Sequence, residues 1–209
     1  MRAVVRVCGE LGLTVGGVLL LLCAYLIWGT GSYTAGRQAV LREQLQQPPQ
    51  AVSGGSRAPD GARTGEPLAM LRIPRFGDDY RYVVVEGVGR DELRAGPGHY
   101  PGTAPPGGTG NFVLAGHRTT YAAPFNRIDE LRRGDEIIVD ARDARYVYRV
   151  TETRIVAPTE MSVIAPVPGS PGRRPTRARI TLSTCHPEYS AAQRLVVFGR
   201  LDDRRDPDR

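Results

Sequence analysis

The chain has 209 residues, 41% of them hydrophobic, and a formal net charge of +6. That length holds one domain of ordinary size plus appendages. The positive balance is not a nucleic-acid footprint: all 28 basic residues are Arg, scattered among 22 acidic ones. A G+C-rich genome accounts for such usage, and no nucleic-acid partner is expected.

Residues 1–10 read as a short cytoplasmic N-terminus. Leu11 to Trp28 carries no charged residue and, as a helix rising about 1.5 Å per residue, spans ~27 Å, close to the hydrocarbon thickness of a bilayer. Tyr25, Trp28 and Tyr33 cluster at its far end, where amphipathic rings favour the membrane interface. The expectation is one uncleaved signal anchor over residues 11–28. A cleaved signal peptide competes with it, against which stand the length of the run and the lack of an A-x-A site. Arg2 and Arg6 lie closer to the span than Arg37 and Arg42, which places the N-terminus inside and the rest of the chain outside the plasma membrane. Residues 29–66, and above all Gln44 to Glu66 with its Gln, Pro, Gly and Ser, read as a flexible extracytoplasmic linker. Residues 202–209 read as a polar C-terminal tail, leaving 67–201 as the folded unit.

Within that unit, Leu68–Pro74 and Tyr80–Glu86 are strand-like and separated by a turn at Gly77-Asp78-Asp79. Asp91–Gly96 suits a single helical turn. The Gly- and Pro-rich loop from Pro97 to Gly110 is long for an idle connection. Asn111–Thr120 reads as a short buried strand ending at Gly116 and His117, and Ala123–Leu131 as a brief helix. Asp135–Ala141 and Ala144–Val156 form a predicted hairpin. A second Pro/Gly loop, Ala157–Thr176, precedes Ala178–Thr184, and Arg194–Leu201 is the last strand. About seven or eight strands at hairpin spacing with little helix predict an all-β sandwich or closed barrel.

Cys8 and Cys23 precede or lie within the apolar helix, so Cys185 is alone in the outer domain. A lone thiol in an exported domain is a candidate nucleophile. A free thiol has a pKa of about 8.5 and needs a base beside it. Of the 3 histidines, His186 follows Cys185 and should point to the opposite strand face. His99 sits in the Gly/Pro loop. His117, at the end of a buried strand, is the favoured partner, with the other two as alternatives. If the strands flanking the Cys185 loop pair antiparallel, Arg194 lies opposite Cys185 and could stabilise an oxyanion. No His/Cys or acidic cluster has metal-site spacing, so neither metal nor cofactor is expected.

T-L-S-T-C over Thr181–Cys185, followed by Arg194, resembles the signature of the sortases, the membrane-anchored cysteine transpeptidases of Gram-positive bacteria. A-G-H-R over Ala115–Arg118 matches their histidine motif. Gly98–Pro105, Gly116–Tyr121 and Cys185–Pro187 resemble class E sortases of actinobacteria. The resemblance implies a closed eight-stranded β-barrel with short helices, on which Cys185 attacks the Thr carbonyl of an L-P-x-T-G or L-A-x-T-G sorting signal. His117 would be the acid and base and Arg194 the stabiliser, while Tyr100 helps select the residue after Leu and Thr184 lines the groove. The implied partners are secreted proteins bearing the signal and an amine of the peptidoglycan precursor. Competing readings are a surface cysteine protease, an L,D-transpeptidase, whose S-x-G-C motif is absent, and a non-catalytic membrane-tethered barrel that only binds.

Overall fold

Eight strands close into one barrel in the order β1-β2-β3-β4-β7-β8-β6-β5, seen in a computed structural model that describes residues 2–25, 30–47 and 62–206. The strands are β1 (Pro67–Arg72), β2 (Arg81–Glu86), β3 (Gly98–His99), β4 (Gly110–Ala115), β5 (Glu136–Ala141), β6 (Arg145–Val156), β7 (Ala178–His186) and β8 (Gln193–Arg205). Helix α1 covers Arg2–Ala24, α2 Thr30–Gln46 and α3 Arg90–Ala95.

Alternation along the strands sorts side chains between the barrel interior and its outer face. Phe112 and Leu114 of β4, Ile180 and Leu182 of β7, and Leu195 and Val197 of β8 point inward with Leu71, Tyr148 and Val150. Each such side chain contributes about 1.5–3 kcal/mol by leaving water. Their neighbours point outward, and there Val196 and Phe198 are covered by Val163 from the β6–β7 loop. Asn111 holds that loop down: its Nδ2 donates to Val163 O at 3.0 Å and Ala165 O at 3.1 Å, and its Oδ1 accepts from Thr181 Oγ1 at 2.7 Å.

Three expectations are corrected. The expected linker over 29–66 is helical over Thr30–Gln46, and the helix docks on the barrel. Its inner stripe is Thr34, Gln38 and Leu41, too polar to read as an amphipathic face from apolar periodicity. β3 is only two residues long and pairs β2 at Val85 and Glu86, which leaves the β2 edge open at Val83. Gln38 fills it like a strand residue, accepting from Val83 N at 2.7 Å and donating to Val83 O at 3.0 Å and Ala95 O at 2.8 Å. Residues 48–61 of the expected linker lie outside the described residues. Secondly, Asp202–Arg205 of the expected tail extend β8, where Arg204 pairs with Tyr146 and Arg205 with Arg145. Ion pairs Arg149–Asp202 at 2.7 Å and Arg205–Asp203 at 2.7 Å offset the polarity of that strand end. Thirdly, the brief helix at Ala123–Leu131 shrinks to one 3-10 turn, Ile128–Glu130. Tyr121, Ala122 and Ala123 are left-handed (φ 52, 58 and 42°), which stops a right-handed helix from starting there.

Gln38→Ala is expected to lower the unfolding free energy by about 2–4 kcal/mol, because Val83 N–H and C=O lose their partners in a buried site. Urea unfolding of the full chain in micelles checks this; an unchanged midpoint would mean that water replaces the Gln38 amide.

Candidate active site

β4 and β7 run parallel, with Leu114 opposite Leu182 and Ala115 opposite Ser183. The alignment continues past the end of β4: Gly116 N donates to Ser183 O at 3.1 Å and Thr184 Oγ1 to Gly116 O at 2.8 Å. One residue further along each segment stand His117 and Cys185. On the other side of β7, Cys185 is the direct antiparallel partner of Arg194. Thiol, imidazole and guanidinium therefore belong to three adjacent strand ends. Ser183 and Cys185 alternate with the inward-facing Leu182, as Arg194 does with Leu195, so thiol and guanidinium share the outer face, on which the β6–β7 loop packs at Val196 and Phe198.

Cys185 is a free thiol at intermediate exposure. Arg194 Nη1 donates to the carbonyls of Ala191 at 3.1 Å and Gln193 at 2.9 Å, which turns the guanidinium back over the β7–β8 loop without neutralising it. Gly116 lets the Phe125 ring close under the His117 segment: a Cβ there would lie 2.7 Å from Phe125 Cδ2.

His117 is held by an aromatic contact. Its ring packs on Tyr121 at 5.2 Å between centroids. Arg94 of α3 donates from Nε to the Tyr121 hydroxyl at 3.1 Å, and its Cζ lies 5.5 Å from that ring's centre. Three consecutive left-handed residues beginning at Tyr121 make the turn that brings this ring back. Such conformations cost about 1–3 kcal/mol each and concentrate at functional sites. Desolvation, and secondarily the positive charge of Arg94, push the His117 pKa below the usual histidine value. A depressed histidine favours folding above its unfolded pKa of about 6.5 and loses that contribution as pH falls through the folded value. Arg94→Gln removes the smaller of the two causes. The His117 titration, followed by its imidazole NMR signals, should move to higher pH while remaining below the ordinary value; an unmoved titration would show that Arg94 does not act on the ring.

The other two histidines are engaged elsewhere. His99 is fully buried, with Nδ1 on Glu86 Oε2 at 2.5 Å and Nε2 between Thr103 Oγ1 at 2.9 Å and Ala104 O at 3.1 Å. Thr103 spends its hydroxyl proton on Tyr100 O at 2.7 Å, so both neighbours of Nε2 are acceptors and that nitrogen carries a hydrogen. His99 thus fixes the Gly/Pro loop from inside. Tyr100, next to it, is partly exposed, and its N–H donates to Val113 O at 2.9 Å. His186 bonds Arg118, with 3.0 Å between Nδ1 and Nη1.

Thr184 is not where the resemblance implies. It is 3% exposed and follows the inward alternation of Ile180 and Leu182. With its hydroxyl on Gly116 O it ties β7 to the residue before His117 rather than lining the groove. Sequence reasoning also missed Arg94, Tyr121 and Gln38. Tyr121 belongs to the G-H-R-T-T-Y stretch quoted above, whereas no local pattern ties Arg94 to a histidine so distant in the chain.

The sortase domain family matches residues 71–202. Sortase SrtE1 of Streptomyces coelicolor is 32% identical over 96% of this chain, which spans 58% of that relative's length. Sortase SrtE2 of the same organism is 32% identical, over 94% of this chain and 81% of its own length. Among solved structures, sortase E from Streptomyces avermitilis superposes with a TM-score of 0.62 at 38% identity, covering 68% of this chain and 92% of that one. Sortase E1 from Streptomyces coelicolor, solved with a tripeptide in its active site, gives 0.61 at 35% identity, covering 72% and 94%. With the barrel closed as in these structures, and a thiol, an imidazole and a guanidinium on three neighbouring strand ends, the chain belongs to the sortase family of cysteine transpeptidases.

Proposed function

We propose that this sortase cleaves a C-terminal sorting signal of the L-A-x-T-G or L-P-x-T-G type between Thr and Gly and transfers the carbonyl end to an amine of the cell-wall precursor. The observation that supports the reading is the direct pairing of Cys185 with Arg194 across β7 and β8, next to a β4–β7 register that leads on to His117. A tripeptide in the active site of the related sortase E1 supports a peptide substrate.

In the first half-reaction Cys185 Sγ, its proton taken by His117, attacks the Thr carbonyl carbon. The carbonyl electron pair moves to oxygen, and the oxyanion faces the Arg194 guanidinium. Collapse breaks the Thr–Gly bond, and His117 returns the proton to the departing Gly amine. This leaves a Cys185 thioester. In the second half an acceptor amine attacks it, loses its proton to His117, and releases the amide and the thiol. His117, depressed by desolvation and by Arg94, is suited to the base role in both halves. Tyr100, partly exposed beside β4, is suited to contact the residue after Leu in the signal. The β6–β7 loop, pinned by Asn111, would limit water at the thioester so that the amine wins.

Helix α1 contains a stretch, Arg2–Cys23, long and apolar enough to cross a membrane. We propose that the run expected over residues 11–28, of which 26–28 lie outside the described residues, is a single-pass anchor in the plasma membrane, with the barrel outside. Shaving of protoplasts with an external protease tests the orientation: the barrel should be lost and the N-terminus protected. The activity is tested with the full chain in micelles and a Leu-Ala-x-Thr-Gly peptide. An oligoglycine or diaminopimelate amine should yield the amide-exchanged product. Hydrolysis alone, undiminished by the amine, would argue for a protease.

A further inference from the structure

Arg118 and His186 are each the next residue after a group assigned above to catalysis, His117 and Cys185. They lie beyond the β4–β7 ladder, whose last pair is Ala115 with Ser183. The two bond there: Arg118 Nη1 donates to His186 Nδ1 at 3.0 Å. Because a guanidinium only donates, Nδ1 must be the unprotonated nitrogen. Arg118 is 6% exposed and its Nη2 pairs with Asp129 Oδ2 at 3.1 Å, while its buried Nε has no partner among the described residues. A second tie joins the same two segments. Asn126 Nδ2 donates to Arg118 O at 2.9 Å and to Glu188 Oε1 at 2.6 Å.

The geometry points to a positioning clamp: Arg118–His186, backed by the Asn126 tie, cross-links the segment carrying His117 to the strand end carrying Cys185 and sets the distance between imidazole and thiol. Neither Arg118 nor His186 touches the reacting atoms. Both act through the backbone of their neighbours, at a place where β4 has already ended and the strand ladder no longer holds the two chains together. An arrangement that loosens by about 1 Å can lose on the order of 100-fold in rate.

The clamp rests on the assignment of Cys185 and His117 as reacting groups, so its test has a readout that needs no peptide. The full chain in micelles is treated with iodoacetamide, and alkylation of Cys185 is timed by peptide mass spectrometry alongside peptide transfer. In His186→Leu, which lacks the acceptor, both rates should fall about 10- to 100-fold, with KM changed less than about 3-fold. In His186→Asn the Oδ1 can stand in for Nδ1, and both rates should recover to within about 5-fold of wild type. Asn126→Ala, at a partly exposed site, should slow both by about 3- to 10-fold; it decides the matter if His186→Leu does not fold. Wild-type alkylation and transfer in His186→Leu, or a His186→Asn as slow as the Leu variant, would overturn the clamp. If wild type alkylates rapidly and the variants order as stated while no peptide is transferred, the clamp stands and the transfer assignment fails.

Discussion

Arg194→Ala should lower kcat/KM for peptide transfer by about 10²–10³, most of it in kcat, as loss of one oxyanion donor does elsewhere. Arg194 is paired directly with Cys185 across β7 and β8, so their Cβ atoms share a face about 5 Å apart. Its Nη1 is spent on two loop carbonyls, which orient the group and leave its net charge intact. Turned from those carbonyls toward the thiol, the guanidinium would supply donors to the developing oxyanion. Arg194→Lys keeps a charge but loses the planar fork and the carbonyl-anchored geometry; it should fall between Ala and wild type. Steady-state kinetics in micelles checks both. An Arg194→Ala enzyme with unchanged kcat and raised KM would assign the residue to substrate binding instead.

A larger effect is expected at the thiol. Cys185→Ala should remove transfer altogether, down by about 10⁶ and below assay background, as nucleophile removal does in acyl-transfer enzymes. The loss should come without a loss of fold: Cys185 is partly exposed, near the end of β7, and surface truncations shift stability by no more than about 0.5 kcal/mol. Cys8 and Cys23 cannot substitute, since both are in α1. Thermal unfolding of the variant should therefore superpose on wild type while product formation is absent. Residual transfer above a few per cent would move the nucleophile elsewhere.

The parts of this site that were legible in sequence are those that depend on strand alternation. The Cys185–Arg194 pairing followed from two β-branched runs with a short loop between them; the preference for His117 over His186 rests on the period of two along a strand and belongs to the proposed site. His99 was ambiguous in sequence because a Gly- and Pro-rich loop has no period to place a side chain; burial beside Glu86 and Phe112 decides it. Thr184 was misplaced by resemblance although alternation argued against it: Cys185 and Thr184 cannot both face the groove from one regular strand. Helix α2 escaped notice for a different reason. Its buried face uses Thr34 and Gln38, whose role is to satisfy backbone groups rather than to bury apolar area, and hydrogen-bond partners distant in sequence leave no local pattern.

The same long-range bonds join the membrane-proximal part of the chain to the site. Thr34 Oγ1 donates to Arg94 O at 2.9 Å and Gln38 Nε2 to Ala95 O at 2.8 Å, so α2 holds the backbone of α3 from which Arg94 reaches Tyr121 and, through it, His117. Docking of α2 thus supports both the β2 edge and the electrostatic setting of the His117 imidazole.

The central claim is that Cys185 forms a thioester with the Thr carbonyl of a sorting signal. Mass spectrometry of the full chain, quenched in acid during turnover of a Leu-Ala-x-Thr-Gly peptide without acceptor amine, tests it most directly. The account predicts a Leu-Ala-x-Thr adduct on the peptide containing Cys185, discharged by added amine and absent from Cys185→Ala. An adduct on another residue, cleavage at another bond, or turnover without any covalent species would contradict it.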